Sequence, residues 1–438
     1  MPRFERPKQR PHGWTQERAE RQLRSLELFG MRFGLDRMRR MMTALGSPEQ
    51  SFQSIQVLGT NGKSSTTRMT AAILQAHGLR TGVYLSPHLV SYRERVLIDG
   101  SELGADSFAE AIARASAAAE RVNRTLAQDD RVTQFELLSA AALWQMAEQQ
   151  VEVAVIEAGL GGRYDATSVI EARVTALTNV GLEHTRWLGP TITDIAEEKL
   201  AVLPERGRLV LGLQPAPAAL AVAERVVAER SATLVQARPL QAGFALRAQG
   251  PFQRRNFALA RSVAESFLEL TGVALSEPAI AAAGAATVIP GRLQLIAHDP
   301  PTLLDGAHNP DAITALAEAL PEMLGERPLA LVLGVLEDKD AARMLATLLP
   351  LCRRVWFTAP PSSRALPPAA LQSLARQLGF EEVECEPRAE RALAQAQAWA
   401  RARGGAVLAT GSVYLVGELL AGVANAVDAR DALRSSAG

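Results

Sequence analysis

The sequence predicts two α/β domains, each built on a mostly parallel sheet covered by helices. Short β-rich runs alternate with helical patterns from about residue 54 onward, as stacked βαβ units require. The first of these runs ends in a glycine turn that opens directly onto a helical pattern. A length of 438 residues is enough for two or three domains, each with its own core.

In chain order, residues 15–30 (TQERAERQLRSLELFG) and 35–46 (LDRMRRMMTALG) read as a helical lead-in. The first β series runs SIQVL, TGVYL, VEVAVIE, RVTALTNV and RLVLGL. A second series starts near Leu293 and runs LQLIA, PTLLD, LALVLGV, RRVWFTA, EEVECE and AVLAT. The Ala/Gly stretch AAAGAATVIPGR between them, about residues 281–292, reads as a linker, which places the domains at 1–286 and 290–438. The Ala-rich segment 108–127 reads as a surface helix.

Composition excludes several classes of function. Lys+Arg and Asp+Glu are both 47, so neither a basic nucleic-acid groove nor an acidic tail is expected. An apolar run of about 18 residues, the length a membrane span needs, is missing. The basic N-terminal stretch lacks the apolar core of a secretory signal. The two cysteines, Cys352 and Cys385, make no disulfide framework and suit a reducing cytoplasm. A monomer is the default expectation.

The basic residues are unevenly divided: 43 arginines against four lysines, Lys8, Lys63, Lys199 and Lys339. Lysine differs from arginine in being a compact point charge whose amine can lose its proton and react. Lys8 lies in the basic N-terminal tail and receives no role. Each of the other three falls in a segment that looks chemical for separate reasons.

The first such segment is Val57-Leu58-Gly59-Thr60-Asn61-Gly62-Lys63-Ser64-Ser65-Thr66. Its glycines let backbone N–H groups approach phosphate oxygens, the helix start adds positive potential, and Lys63 reaches the outer phosphates. Ser64 stands where a P-loop hydroxyl ligates Mg²⁺. The strict pattern is broken, because Val57 occupies its first glycine position. The second segment is the strand VEVAVIE, which ends in Glu157 and is followed by a tight Gly loop through Asp165, the kind of edge where nucleotide and metal sites form. A plain turn reads equally well. The third carries Glu183-His184 off a strand, then Glu197-Glu198-Lys199; a structural histidine and an exposed helix charge pair are the plainer readings. In the fourth, Glu136 sits in an otherwise apolar helix, where a carboxylate needs a cation or a metal unless it snorkels to the surface. The fifth lies in the second series: Asp305 and His308 on a strand-to-helix turn, Arg292 just past the linker, and Asp338-Lys339-Asp340 after another strand. Three polar turns at one edge of a sheet suggest that it closes over a shared ligand.

Read together, these segments resemble the folylpolyglutamate synthase/dihydrofolate synthase family, within the wider group of Mur-type ATP-dependent amide ligases. The strings that carry the resemblance are GTNGKS at 59–64, Ser86-Pro87-His88-Leu89 with Glu94-Arg95-Val96, EAGLGGRYDAT at 157–167 and GLEHTRWLGPT at 181–191. They continue with PGR at 290–292, DGAHNP at 305–310 and TGSVYLVGE at 410–418.

The resemblance implies an N-terminal P-loop ATPase-type domain and a C-terminal Rossmann-like glutamate-ligase domain. It implies ATP binding by Gly59, Thr60, Asn61, Gly62, Lys63, Ser64 and Ser65, with Asn256, Arg292, Asp305 and His308 reaching the nucleotide from the second domain. Ser64 and Glu136 attend one Mg²⁺, and Ser86 and His184 a second. Lys63, His184 and Lys199 become the catalytic groups, Lys199 as a carbamate that an arginine could not form. Arg95 and Ser412 face substrate. The implied reaction adds L-glutamate to a reduced folate, to dihydropteroate, or to both, through an acyl phosphate, with domain closure excluding water. Another Mur-type amide ligase and a non-enzymatic nucleotide-binding protein are the competing readings. Departures from the family pattern are Glu183 where Asp is usual, Arg186 where an acid is common, and Leu-Ala-Val after Lys199.

Overall fold

The structure is a computed structural model and describes residues 13–26 and 33–423; Lys8 lies outside them, as does part of the helical lead-in. Its contacts divide the chain into two units. The first runs through Leu246 and resumes over Arg255–Thr287; the second takes Arg247–Arg254 and the chain from Val288 onward. Asn256 therefore belongs to the first unit, which corrects its assignment to the second domain.

The first unit holds an eight-stranded sheet: β1 (Gln53–Leu58), β2 (Thr81–Tyr84), β3 (Val96–Ile98), β4 (Ser101–Glu102), β5 (Val153–Glu157), β6 (Ala172–Leu177), β7 (Arg208–Leu211) and β8 (Thr233–Gln236). The lateral order is β4-β3-β2-β5-β1-β6-β7-β8. All neighbours from β2 to β8 are parallel, while β3 and β4 add an antiparallel edge. That edge and β8 escape the sequence reading because they are short, and β8 is only partly buried, so they lack a long apolar run.

Helices cover both faces. One face packs against Gln16–Ser25, Asp36–Leu45, Ala105–Asn123 and Gln134–Glu148 around the buried Trp144 and Phe108. The other packs against Ile192–Leu200 and Pro217–Glu229. The Ala-rich helix is not a surface element. Its small side chains at Ala109, Ala111, Ala115 and Ala118 are buried, because alanine lets neighbouring helices approach closely. The first half of the Ala/Gly stretch expected as a linker is helical: Glu277–Ala286 buries Ala283 and Gly284, and the chain passes to the second unit after Thr287.

The second unit carries β9 (Gln294–His298), β10 (Pro301–Leu304), β11 (Leu329–Leu333), β12 (Arg354–Phe357), β13 (Val383–Cys385) and β14 (Ala406–Thr410) in the order β13-β12-β11-β14-β10-β9. Only the β9–β10 pair is antiparallel. Its core gathers Leu303, Leu331, Leu333, Leu408 and Phe357 under helices Pro310–Leu324 and Ala341–Leu348. Cys352 is buried and Cys385 exposed, both as free thiols.

Glu136 is an element of this scaffold. It closes a capping box at the start of helix Gln134–Glu148, accepting from the Thr133 N–H at 2.8 Å while the Thr133 hydroxyl accepts from its own N–H. Arg37 Nε donates to both of its oxygens, at 2.9 and 3.1 Å, and the two side chains are 7% and 5% exposed. The cation beside this carboxylate is Arg37, an ion pair that the expected Mg²⁺ role of Glu136 did not include. Removing one partner strands a buried charge, at a cost of about 3–5 kcal/mol. Arg37→Ala should lower the urea midpoint by an amount equivalent to that loss. Glu136→Gln should also destabilise, while leaving the Mg²⁺ concentration for half-maximal activity unchanged; a shifted Mg²⁺ requirement would restore the metal role.

Candidate active site

Strand β1 lies between β5 and β6, with Val57 opposite Glu157 and Leu58 opposite Leu177. The carboxyl ends of three parallel strands thus come into line, and the loops leaving them meet. Parallel sheets place ligand sites at this kind of position, where successive strands depart to opposite sides.

The loop after β1 is held by the loop after β6. Thr60 N–H donates to Asn179 O and Asn61 N–H to Asn179 Oδ1. Thr178 Oγ1 donates to Asn61 O at 2.6 Å, and Gly181 N–H to Thr60 Oγ1. Glycine is obligatory at both ends of the turn. Gly59 has φ of 141° and a Cβ there would lie 1.8 Å from Thr178 Oγ1; Gly62, at φ of 82°, would strike Asn256 Oδ1 at 2.4 Å. Asn256 therefore packs on the glycine loop from within its own unit. Helix Lys63–Ala76 begins at once, aiming its N-terminus and dipole at the same place.

Lys63 Nζ donates to the carbonyls of Gly59 and Thr60, each at 3.0 Å. Lys199 reaches the same Gly59 carbonyl at 3.0 Å from helix Ile192–Leu200 and is only 4% exposed. Burial first, and the neighbouring Lys63 ammonium second, pull the Lys199 ammonium down to about 7. A lysine so placed is substantially neutral near physiological pH.

Ser64 Oγ donates to Glu157 Oε1 at 2.9 Å, and the backbone N–H of Ser86 donates to Glu157 Oε2 at 3.1 Å. Ser64, Ser86 and Glu157 thus come together at the mouth of the loop, whereas Glu136 pairs with Arg37. The sequence signal of Glu157 was a carboxylate at the end of a buried strand followed by Gly-rich chain. Hard oxygen donors around one carboxylate fit Mg²⁺, which keeps waters and substrate phosphates as its other ligands. Among the described residues no three His, Cys, Asp or Glu side chains group as a metal site. His184 caps the short helix Thr185–Leu188 in the left-handed conformation, exposed on the loop after β6.

The Gly loop after β5 wraps the buried Asp165, whose oxygens accept from Leu160 N–H, Thr167 N–H and Thr167 Oγ1. Burial pushes the Asp165 carboxyl above its ordinary range. Beside it, the exposed rings of Phe33, Tyr164 and Trp187 gather, Phe33 lying 6.1 Å from Tyr164 and 5.5 Å from Trp187. Arg95 is buried, donates from Nε to His88 Nδ1 at 3.0 Å and stacks on Tyr92 at 5.6 Å. Burial, then the Arg95 charge, drive the His88 imidazolium down to about 3, so His88 is a neutral acceptor.

In the second unit Asp305 leaves β10 and accepts from the N–H groups of Leu293 and Ala307, while Arg292 Nη1 donates to Gly291 O. A Cβ at Gly306 would lie 2.0 Å from Arg292 Nη1. Burial raises the Asp305 carboxyl, opposed chiefly by Arg292. His308 Nδ1 lies 2.8 Å from Gly306 O, which places a proton on that nitrogen. Ser412 is buried just past β14 and accepts from Tyr414 N–H.

Comparison with known proteins gives the same reading. Residues 57–214 match the Mur ligase middle domain, and residues 291–413 the Mur ligase glutamate ligase domain. The folylpolyglutamate synthase of Lacticaseibacillus casei is 35% identical over 362 residues, covering 77% of this chain and 84% of that protein. The dihydrofolate synthase/folylpolyglutamate synthase of Escherichia coli is 33% identical over 342 residues, covering 75% and 77% respectively. The folylpolyglutamate synthase of Mycobacterium tuberculosis, solved in complex with ADP, superposes with a TM-score of 0.86 at 30% identity, covering 93% of this chain and 98% of that one. The chain belongs to the folylpolyglutamate synthase/dihydrofolate synthase family of the Mur ligase superfamily.

Proposed function

We propose that this protein is an ATP-dependent ligase that joins L-glutamate to a folate, extending the tail of a reduced folate, to dihydropteroate, making dihydrofolate, or to both. The observation that carries the reading is the Ser64–Glu157–Ser86 constellation at the mouth of a glycine loop, in a chain of this family. A monomer acting in the cytoplasm completes the proposal.

A carboxylate and an amine do not condense in water without activation. The acceptor carboxylate attacks the γ-phosphorus of ATP, giving an acyl phosphate and ADP. The glutamate amine then adds to the acyl carbon, loses a proton, and the tetrahedral intermediate collapses with departure of phosphate. Backbone N–H groups of 59–64 and the helix N-terminus orient the phosphates, and Lys63 exchanges its loop carbonyls for phosphate oxygens. Ser64, Ser86 and Glu157 would hold magnesium, with His184 a further ligand on the adjoining loop; bound magnesium supplies charge neutralisation for phosphoryl transfer. Asn256 positions the loop, and Arg292, Asp305 and His308 are the groups the second unit offers to nucleotide. Arg95, held by His88, suits an acidic substrate, and Ser412 the incoming amino acid. The exposed rings of Phe33, Tyr164 and Trp187 suit a flat heteroaromatic acceptor.

The partly neutral Lys199 amine can add to CO₂, releasing a proton and forming a carbamate. That converts a buried cation beside Lys63 into an anion, relieving the repulsion between the two ammonium groups.

Phosphate release with ATP, Mg²⁺, L-glutamate and either dihydropteroate or tetrahydrofolate tests the function directly: stimulation by neither acceptor would overturn it. Lys63→Ala should abolish turnover, and near-normal rates would sink the loop assignment. Glu157→Gln should raise the Mg²⁺ requirement by about tenfold or more, in contrast to Glu136→Gln. For Lys199, the neutral fraction grows as pH rises through about 7. Enzyme depleted of CO₂ below pH 7 should therefore lose activity and regain it with bicarbonate above pH 7. Lys199→Arg should show no such rescue. An activity indifferent to CO₂ at every pH would discard the carbamate.

A further inference from the structure

The chain after β2 makes the Ser86 contact with Glu157 and returns at Arg95, where β3 begins. Leu85 N–H donates to Arg95 O at 2.9 Å, so the backbone of Arg95 lies across from the residue before Ser86. The turn between them is fixed from within. Glu94 accepts from the N–H groups of Leu89, Val90 and Ser91 at 2.8, 2.7 and 2.6 Å. Arg93 Nε donates to Leu103 O at 2.6 Å. Glu94, the acid next to Arg95 in sequence, is thus engaged by its own loop.

That leaves Arg95 as a buried guanidinium among neutral groups. Its Nε donates to His88 Nδ1 at 3.0 Å, its plane lies 5.6 Å from the Tyr92 ring, and the Tyr84 hydroxyl sits against it. Among the described residues no Asp or Glu forms an ion pair with it. A ring nitrogen that accepts from arginine carries a lone pair, so the His88 imidazole is uncharged, with its proton on Nε2. His88 is itself set in place. Its ring lies 4.3 Å from that of Tyr92, whose hydroxyl accepts from Gln134 Nε2 at 3.1 Å. Burying a cation without a counter-charge is costly, and the buried Arg37 of the same unit has two carboxylates, Asp130 and Glu136. At position 88 a neutral acceptor stands where a short acid would have given Arg95 its counter-ion.

We infer that His88 is a positioning residue: it fixes the Arg95 guanidinium through Nε without neutralising it, so that the carboxylate of the acceptor supplies the missing counter-charge. This rests on the proposed role of Arg95 toward an acidic substrate. Holding Nε sets the plane of the guanidinium, whose terminal N–H groups are the ones that pair with a carboxylate. An acid at 88 would hold Arg95 as firmly but compete with the substrate for it. An apolar side chain there would leave Nε without an acceptor.

The test is steady-state phosphate release by the full-length His88→Leu, His88→Asn and His88→Asp enzymes, with thermal melting of each. ATP, L-glutamate and the acceptor, tetrahydrofolate or dihydropteroate, are varied separately. Asparagine keeps a neutral acceptor close to the position of Nδ1. The inference expects His88→Leu and His88→Asp each to raise the acceptor KM by about tenfold or more, with the ATP KM unchanged. His88→Asn should recover most of that loss. His88→Asp, which supplies a counter-ion, should melt above His88→Asn and yet bind acceptor more weakly. A merely structural His88 would instead couple the two readouts, the variant that melts higher binding acceptor at least as well. That result overturns the inference, as does an acceptor KM within twofold of wild type in His88→Asp, or an equal rise in the ATP KM. Should His88→Leu fail to fold, the His88→Asn and His88→Asp pair decides. Arg95→Leu separates the inference from the reading beneath it: an unchanged acceptor KM in that variant removes Arg95 from the acceptor site. If the wild-type enzyme shows no acceptor-dependent turnover, it is the ligase reading that falls.

Discussion

The lateral pairing of β1 between β5 and β6 is the constraint on which the site depends. Parallel registry places Val57 beside Glu157 and Leu58 beside Leu177, so the Glu157 carboxylate and the 178–184 loop each begin one strand spacing from the glycine loop, on either side of it. Nothing in those segments needs to reach far. Ser64 finds Glu157 across 2.9 Å because Glu157 ends β5 and Ser64 stands in the first turn of the helix that follows the loop after β1. The rigidity of the sheet is passed to the loop by the Asn179, Thr178 and Thr60 hydrogen bonds, and glycine is needed where those contacts leave no room for a Cβ.

Charge is distributed over this frame with the same economy. Two lysines converge on the Gly59 carbonyl, one half-buried and one buried enough to approach neutrality. Burial, then repulsion between them, lowers the proton affinity of the Lys199 amine, while the carboxylates of Glu157 and Asp165 lie on the adjoining strand end and loop. At the second sheet the pattern recurs in simpler form. Asp305 is used up in holding the backbone at Leu293 and Ala307, so that the turn bearing His308 is preset before any substrate arrives. Preorganisation of this kind lets binding energy go into positioning rather than into ordering loops.

The scaffold pays for its buried charges with equal care. Arg37 and Glu136 neutralise one another against the apolar helix layer, and Thr133 completes the carboxylate's hydrogen bonds. Glu136 and Glu157 illustrate how similar local signals diverge. Each is an acid in an apolar run; one begins a helix and the other ends a strand. Their fates differ because helix Gln134–Glu148 meets Arg37 from the lead-in, whereas β5 delivers Glu157 to the loop after β1.

Much was legible in the sequence alone. The alternation of β-rich and helical runs, the glycine loop with its lysine, the family and the scarcity of lysine all follow from local pattern, since strand burial, tight turns and point charges restrict residue choice where they occur. Tertiary structure decided what local pattern cannot carry. Strand order brought Glu157 to Ser64, because lateral pairing joins residues 93 positions apart without leaving a spacing to read. Packing turned the Ala-rich segment into a core helix and put Asn256 on the glycine loop of its own unit. The short edge strands β3, β4 and β8 formed because a neighbour offered hydrogen bonds, not because their residues demanded it. Local chemistry is written in the residues, but which residues meet is set by the sheet order, and that is a property of the folded chain as a whole.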